Sequence, residues 1–373
     1  MLTRVYIDNF RCLVNFELRL DRLNLLLGEN GTGKTTVFDV LRRLQRFVTG
    51  SAKVDTVFPA QDLTRWQSSR QQRLELDLQI GQRAYTYSLV VEHDEDLRRM
   101  RVGQEKLLMD GTPLFELVVK GKEATAHLYH DDFSAGPEYP FDWSQSGVGS
   151  LPERRDNTNL SSFRRELKRL IIAAPCPPLM EAETQQEEDS LSWDMRNFVS
   201  WYRWLSQEHQ GAVFTVFQEL KDVLPGFTSF SLKEAGENAR VLKASFDGPG
   251  GSSKPIPYTL GELSDGQRML IALYTMLFGL GNEGLCLFLD EPDNYVALRE
   301  IQPWLMALTD RVGKGIEQAV LISHHPEVID YLAGSAGRWF ERDATGPARV
   351  GDKPKAQPEG LKPSETITRG WDK

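Results

Sequence analysis

The segment Gly28-Glu29-Asn30-Gly31-Thr32-Gly33-Lys34-Thr35 constrains this chain more than any other. It fits the pattern GxxxxGK[ST], and its flanks decide what it can be part of. Before it, Leu23 to Leu27 form a short apolar run that reads as a buried strand. After it, Val37, Val40, Leu41, Leu44 and Phe47 recur at three- and four-residue spacing, the stripe of a helix ended by Thr49, Gly50 and Ser51. Strand, glycine-rich loop and helix in that order belong to an α/β layer. In such a loop the glycines let backbone amides close around a phosphate and the helix N-terminus adds a favourable dipole. Lys34 reaches the β- and γ-phosphates and Thr35 offers a hydroxyl to Mg²⁺. Asn30, Gly31, Thr32, Gly33, Lys34, Thr35 and Thr36 are therefore the expected phosphate contacts.

Three further segments carry chemistry. Leu285 to Leu289 is an apolar run ending in Asp290 and Glu291, the look of a buried parallel strand that delivers acids to its C-terminal edge, where ligands sit in open α/β sheets. Asp290 would hold Mg²⁺ through water, and Glu291 would polarise an attacking water as general base. Leu263-Ser264-Asp265-Gly266-Gln267 opens a helix that is apolar nearly all round. Ser264 is either a simple N-cap or, with the Gly266 amide, a second γ-phosphate site offered to a partner subunit. Ser323-His324 ends the strand Ala319 to Ile322, where the histidine is either structural or a sensor of the γ-phosphate.

Between these pieces, about 200 residues from Val48 to Pro257 are too many for a loop. Alternation over Leu74 to Ile80 and Tyr85 to Val91, with Gly81-Gln82 between, predicts a hairpin, and Asp110-Gly111 and Gly121 punctuate later strands to about Tyr129. Pro137, Pro140, Gly147, Gly149 and Pro152 predict a loop. A helix from Ser161 with Phe163, Leu167, Leu170 and Ile171 on one face, stopped by Pro175, comes next. Helices carrying Trp193, Phe198, Trp201, Tyr202 and Trp204, and then Val213, Phe217, Leu220 and Leu224, precede a Gly/Pro/Ser linker over Asp247 to Pro257. The expected division is a head split over 1–50 and 255–345, an antiparallel meander over 70–135, a helical insertion lobe over 155–247 and a tail over 346–373.

Charge and cysteines narrow the class. With 44 Lys plus Arg against 53 Asp plus Glu, the net charge of −9 argues against a basic surface wrapped by nucleic acid. A local stripe of Arg164, Arg165, Lys168 and Arg169, with Arg154 and Arg155 before it, is either a solvated helix face or a contact to phosphates or an acidic partner. Cys12, Cys176 and Cys286 form no CxxC pair, which fits a reducing cytosol. No apolar run has the roughly 18 residues of a membrane span, so a cytoplasmic chain with no membrane partner is expected. Asp94 and Asp96, and the group His127, His130, Asp131 and Asp132, are read as solvated turns rather than metal sites.

Taken in order, GENGTGKT, LSDGQ, LFLDEP and SH resemble the ATP-binding-cassette (ABC) head. With IDNFRCL at the N-terminus and the long insertion, the chain is similar to the SMC and RecF-like branch, including stand-alone ATPases related to the overcoming-lysogenisation-defect nucleases. The fold this implies is α/β: a mixed sheet with the phosphate loop and flanking helices, carrying the β-meander and the helical lobe. The resemblance also implies that Lys34, Thr35, Asp290, Glu291 and His324 act on one ATP with Mg²⁺, that Ser264 and Gly266 contact the nucleotide of the opposite subunit in a homodimer, and that Arg11 sits near the base or phosphates. Asp265 in the signature and Pro292-Asp293-Asn294-Tyr295 after Glu291 depart from transport cassettes, and Gln61 is only a candidate for the Q-loop glutamine.

The leading expectation is an ATPase gating a nucleic-acid transaction on DNA or RNA, or a separately encoded nuclease or other effector, with anti-phage defence as the setting by analogy. About thirty residues follow Arg342, too few for a fused nuclease domain, so ATPase without nuclease activity is expected. A RecF-like repair clamp binding DNA directly is the alternative, and a transporter subunit is disfavoured by the insertion.

Overall fold

The structure, a computed structural model, describes residues 1–50, 52–94, 99–121, 123–248, 252–351 and 360–369. The chain divides into two compact units. One comprises Met1–Asp21, Leu26–Leu170 and Arg338–Pro354, the other Arg22–Leu25, Ile171–Gly337 and Lys355–Lys373.

The first unit is built on an eight-stranded antiparallel sheet. Strands β1 (Leu2–Asp8) and β2 (Phe16–Arg19) open the chain, and β3 (Leu23–Leu27) leads into α1 (Lys34–Thr49) and the short α2 (Val54–Val57). Five further strands follow as a meander: β4 (Gln71–Ile80), β5 (Arg83–Asp94), β6 (Arg99–Met109), β7 (Thr112–Lys120) and β8 (Glu123–Tyr129). The turns fall where expected, because Gly81, Asp110, Gly111 and Gly121 all adopt the positive φ that tight hairpins need. Leu74, Leu76, Tyr85, Tyr87 and Leu89 are buried, as their alternation requires.

The meander is not a body of its own. Val5 of β1 pairs with Leu18 on one side and Leu76 on the other, so the sheet runs β2-β1-β4-β5-β6-β7-β8-β9 without a break. Strand β9 (Ala135–Pro140) replaces the expected loop; as the outermost strand it tolerates Pro137 and Pro140, which lack the donor a central strand would need. Helices α3 (Gly147–Ser150) and α4 (Thr158–Lys168) complete this part, and α4 ends before Leu170.

Strand β10 (Leu170–Ala173), at which the chain enters the second unit, takes Leu170 and Ile171, expected on a helix, into a strand. Glu183–Thr184 forms β11. Helices α5 (Phe198–Glu208) and α6 (Gln210–Val223) follow, with Trp193 outside α5. The expected helical lobe then differs most from the structure. Strands β12 (Phe227–Glu234), β13 (Arg240–Gly248) and β14 (Ser252–Thr259) form with β11 a small antiparallel sheet, so most of the expected linker is a hairpin. Pro255 and Pro257 are tolerated there because β14 pairs with β13 alone. Residues 249–251 of that segment lie outside the described residues, as does Ser51.

Helix α7 (Asp265–Phe278) is buried from Met269 onward. Strand β15 (Leu285–Asp290), helix α8 (Leu298–Arg311), strand β16 (Ile316–Ile322) and helix α9 (Pro326–Ala336) make the α/β layer, with β15 and β16 parallel and Asp290 opposite Ile322. The Ala319 amide donates to the Arg22 carbonyl at 2.7 Å, at the start of β3. The chain returns to the first unit as the hairpin β17 (Gly337–Glu341) and β18 (Arg349–Gly351), and α10 (Pro363–Thr368) is its last described helix. Among the described residues no helix is long and apolar enough to cross a membrane.

Candidate active site

The phosphate loop lies in the first unit, between the buried end of β3 and α1. A Cβ on Gly28, at φ 137°, would stand 2.2 Å from the Phe340 carbonyl oxygen, so only glycine fits that approach. Gly33, at φ 101°, lies against Cys12 and Leu13 and, having no side chain, leaves the first amides of α1 without a side-chain cap. The Lys34 ammonium donates to the carbonyls of Gly28 at 2.7 Å and Glu29 at 3.0 Å, and Thr32 Oγ1 donates to Glu29 at 2.8 Å. Asn30, Gly31 and Thr35 are exposed and Thr36 is half-buried, so the Thr35 hydroxyl is accessible to a cation. A loop of this shape, with its lysine held across it and its helix end open, can accept a polyphosphate.

Arg11 stands beside this loop, since the neighbouring Cys12 touches Gly33. Its Nε donates to Asp62 Oδ1 at 2.8 Å, Nη2 is 3.1 Å from Asp39, and its amide bonds the Asp62 carbonyl at 2.8 Å. Arg43 of α1 joins the same two acids, at 3.0 Å to Asp39 and 2.9 Å to Asp62. Gln61 is exposed in the same short turn as Asp62. Asn9, buried and at φ 61°, holds the rest of that loop: its amide donates to the carbonyls of Ser69 and Gln71, and its oxygen accepts from the Thr64 amide. The sequence pointed to Arg11 but not to Asn9, Asp39 or Asp62, whose only sequence signal is a polar residue set beside apolar neighbours.

The acids, the histidine and the signature lie in the second unit. Asp290 is buried at the end of β15. Glu291 follows at φ 50°, a conformation that turns the chain sharply; its amide donates to the Ile322 carbonyl at 2.8 Å, and its carboxylate accepts from Asn294 Nδ2 at 2.6 Å. Asp293 is buried, and burial pushes its pKa up against the opposing hydrogen bond from Ser323. Ser323 Oγ accepts from the His325 amide, and His325 Nδ1 accepts from the Glu327 amide at 3.2 Å, capping α9. His324 is exposed at the end of β16. The sequence missed Asn294, Asp293 and His325 as the groups that hold this strand end in shape.

Ser264 is the N-cap of α7 in a reciprocal box: Ser264 Oγ accepts from the Gln267 amide at 3.3 Å and Gln267 Oε1 accepts from the Ser264 amide at 3.0 Å. The cap does not hide it, because Ser264 remains exposed. A Cβ on Gly266 would meet the Tyr295 carbonyl at 2.9 Å, so the signature and the turn after Glu291 touch backbone to backbone.

Several of the remaining sequence candidates have structural uses. Asp131 accepts from the amides of Thr158 and Asn159 at 2.8 and 2.9 Å, capping α4, and Asp132 closes its own turn onto Ser134. His127 lies near Glu138 and His130 near Asp156. Asp94 ends β5, and Asp96 lies outside the described residues. Of the basic stripe, Arg164 bonds the Leu151 carbonyl, Arg165 is 3.7 Å from Glu153 and Arg169 is 3.6 Å from Glu166. Phe198, Trp201 and Tyr202 are buried, which makes the aromatic helix a core element.

Residues 1–110 match the sequence model of a family described as an AAA ATPase domain. The chain is similar in structure to an SMC head bound to the C-winged helix domain of ScpA, with a TM-score of 0.58 at 9% identity, covering 98% of this chain and 99% of that one. It also matches the SMC head domain from Thermotoga maritima, at TM-score 0.48 and 13% identity, over 94% of this chain and 98% of that one. No curated protein matches the sequence. The fold is therefore that of an SMC head, a mixed α/β fold of the ABC-ATPase class, and the N-terminal matched segment contains the phosphate loop.

Proposed function

We propose that this chain is an ATP-binding and ATP-hydrolysing SMC/RecF-like ATPase, akin to the ATPase part of the overcoming-lysogenisation-defect nucleases. The observation that carries the reading is the phosphate loop itself: Lys34 held across the Gly28 and Glu29 carbonyls over an uncapped helix start. Lys34 and the amides of Asn30 to Thr36 bind the phosphates, with Arg11 beside them. By the same resemblance, Thr35 and Asp290 would each offer an oxygen ligand to Mg²⁺, which would supply charge stabilisation on the phosphates. Taken singly, the exposed Thr35 and the buried Asp290 each carry the hard oxygen donor that such an ion takes. Glu291, aimed by Asn294, takes the proton of the attacking water, and His324 hydrogen-bonds the γ-phosphate.

The exposed signature cap supports ATP-driven dimerisation, with Ser264 and Gly266 serving the nucleotide of a second copy in a C₂ arrangement. Opening and closing of that dimer would gate DNA or RNA, or a separately encoded nuclease or other effector, in anti-phage defence. Direct DNA clamping gains little support from the basic stripe, three of whose arginines contact neighbours of their own. The test is phosphate release by the full chain and its Lys34→Ala variant, with light scattering of Glu291→Gln with and without ATP. Loss of release in Lys34→Ala and a doubling of mass with ATP are expected. Release unchanged in Lys34→Ala would refute the ATPase reading, and a monomer in both conditions would refute the dimer.

A further inference from the structure

Trp66 is 47% exposed, an unusual state for the largest apolar side chain, and it is not loosely presented. The guanidinium of Arg342 lies 5.6 Å from its ring centroid. That same guanidinium donates through Nη1 to the carbonyl of Gly31, in the phosphate loop, at 3.1 Å and through Nε to the carbonyl of Gly346 at 2.8 Å. Trp66 thus stands one arginine away from the phosphate loop, within the first unit.

Both partners are anchored independently. Trp66 follows Asp62 and Thr64, which are fixed by Arg11 and Asn9, and the Gln67 amide closes its turn onto Thr64 at 3.3 Å. Arg342 begins the turn between β17 and β18, and this turn runs along the phosphate loop. Phe340 sits against Gly28, Ala348 sits against Gly33, and the Ala348 amide bonds the Cys12 carbonyl at 2.9 Å. A flat aromatic backed by a cation is a stacking platform for a π-system, because the cation covers one face and the open surface takes the ligand.

The geometry points to Trp66 and Arg342 as the nucleobase platform of this chain: a purine stacks on the open surface of Trp66, while Arg342 backs the ring and ties it to the loop that takes the phosphates. The inference rests on the nucleotide site proposed above and adds its base selectivity. Stacking reads a ring face rather than a base edge, so the platform selects by ring size. ATP and GTP bind within a few-fold of one another and more tightly than CTP, and inorganic tripolyphosphate binds without using the platform.

The experiment is calorimetric binding of ATP, GTP, CTP and tripolyphosphate to the full chain and to Trp66→Ala, Trp66→Phe and Lys34→Ala. Trp66→Ala is expected to weaken ATP about tenfold, the scale of one lost base stack, and to leave tripolyphosphate unchanged. Trp66→Phe keeps the affinity while removing the ATP-dependent quench of tryptophan emission. Equal affinity for ATP in Trp66→Ala and the unaltered chain overturns the platform. So does an equal loss for ATP and tripolyphosphate, which would mean a distorted loop. Nucleotide binding that needs Lys34 but ignores Trp66 removes this inference alone, whereas binding that ignores Lys34 removes the nucleotide site itself.

Discussion

Asp62→Asn probes the wall beside the phosphate loop. The carboxylate is almost fully buried and meets two guanidinium groups, Arg11 Nε at 2.8 Å and Arg43 Nη1 at 2.9 Å. Only the Arg11 contact has hydrogen-bond alignment; Oδ2 meets Arg43 as an ion pair. A hydrogen bond to a charged group contributes about 1.5–3 kcal/mol, and the uncompensated pair adds to that. Two features reduce the loss. Arg11 is 43% exposed, so water screens it, and Asp39 remains 3.1 and 3.0 Å from the two arginines. A net cost of about 2 kcal/mol follows, equivalent to about 4–8 °C in a body of this size. Urea unfolding followed by circular dichroism measures it as a lowered midpoint at constant slope. A double-mutant cycle with Arg11→Ala should then show coupling between the two sites. An unchanged midpoint, or strict additivity with Arg11→Ala, would refute the assignment of Asp62 as the anchor of Arg11.

A second buried carboxylate is expected to matter more. Glu105 accepts from Tyr87 at 2.8 Å, Ser146 at 2.5 Å and the Gly147 amide at 2.6 Å, so Glu105→Ala strands three donors and should cost about 3–6 kcal/mol in the same urea assay. Burial pushes the Glu105 pKa up from its ordinary value of 4.5, so the folded chain holds a proton that the unfolded chain has released and its stability falls as pH rises through that window. The deficit of Glu105→Gln, measured from urea midpoints across pH, should therefore shrink as pH rises; a deficit that grows would contradict this. Gly28→Ala should be destabilised by about 3 kcal/mol and lose nucleotide binding, because its Cβ would stand 2.2 Å from a backbone oxygen; a normal melting curve would count against the close approach.

What could be read in the sequence was local. The phosphate loop, the acid-ended strand β15 and the Ser264 cap each need only their own neighbours, and each lies where the pattern put it. The hairpins from β4 to β8 were legible because short turns such as Asp110-Gly111 leave little choice of partner. What escaped was pairing between distant segments. Nothing around Val5 says that Leu76 will lie beside it, so the meander looked separate from the N-terminal strands. Prolines hid β9 and β14, since proline argues against a strand unless its edge position is known. The surroundings of the site escaped for the same reason. Trp66 meets Arg342, and Arg11 meets Asp62, only after folding, and a lone tryptophan in a polar loop has no period to mark it.

The measurement closest to the central claim separates binding from turnover at Glu291, the residue held at the end of β15 by Asn294. ATP affinity and steady-state phosphate release are compared in the full chain and in Glu291→Gln, which keeps the shape and removes the base. The expected result is ATP affinity within a few-fold of the unaltered chain with release reduced at least about a hundredfold, the lower range for loss of a general base. Phosphate release at the unaltered rate in Glu291→Gln, or loss of ATP binding together with turnover, would contradict the account.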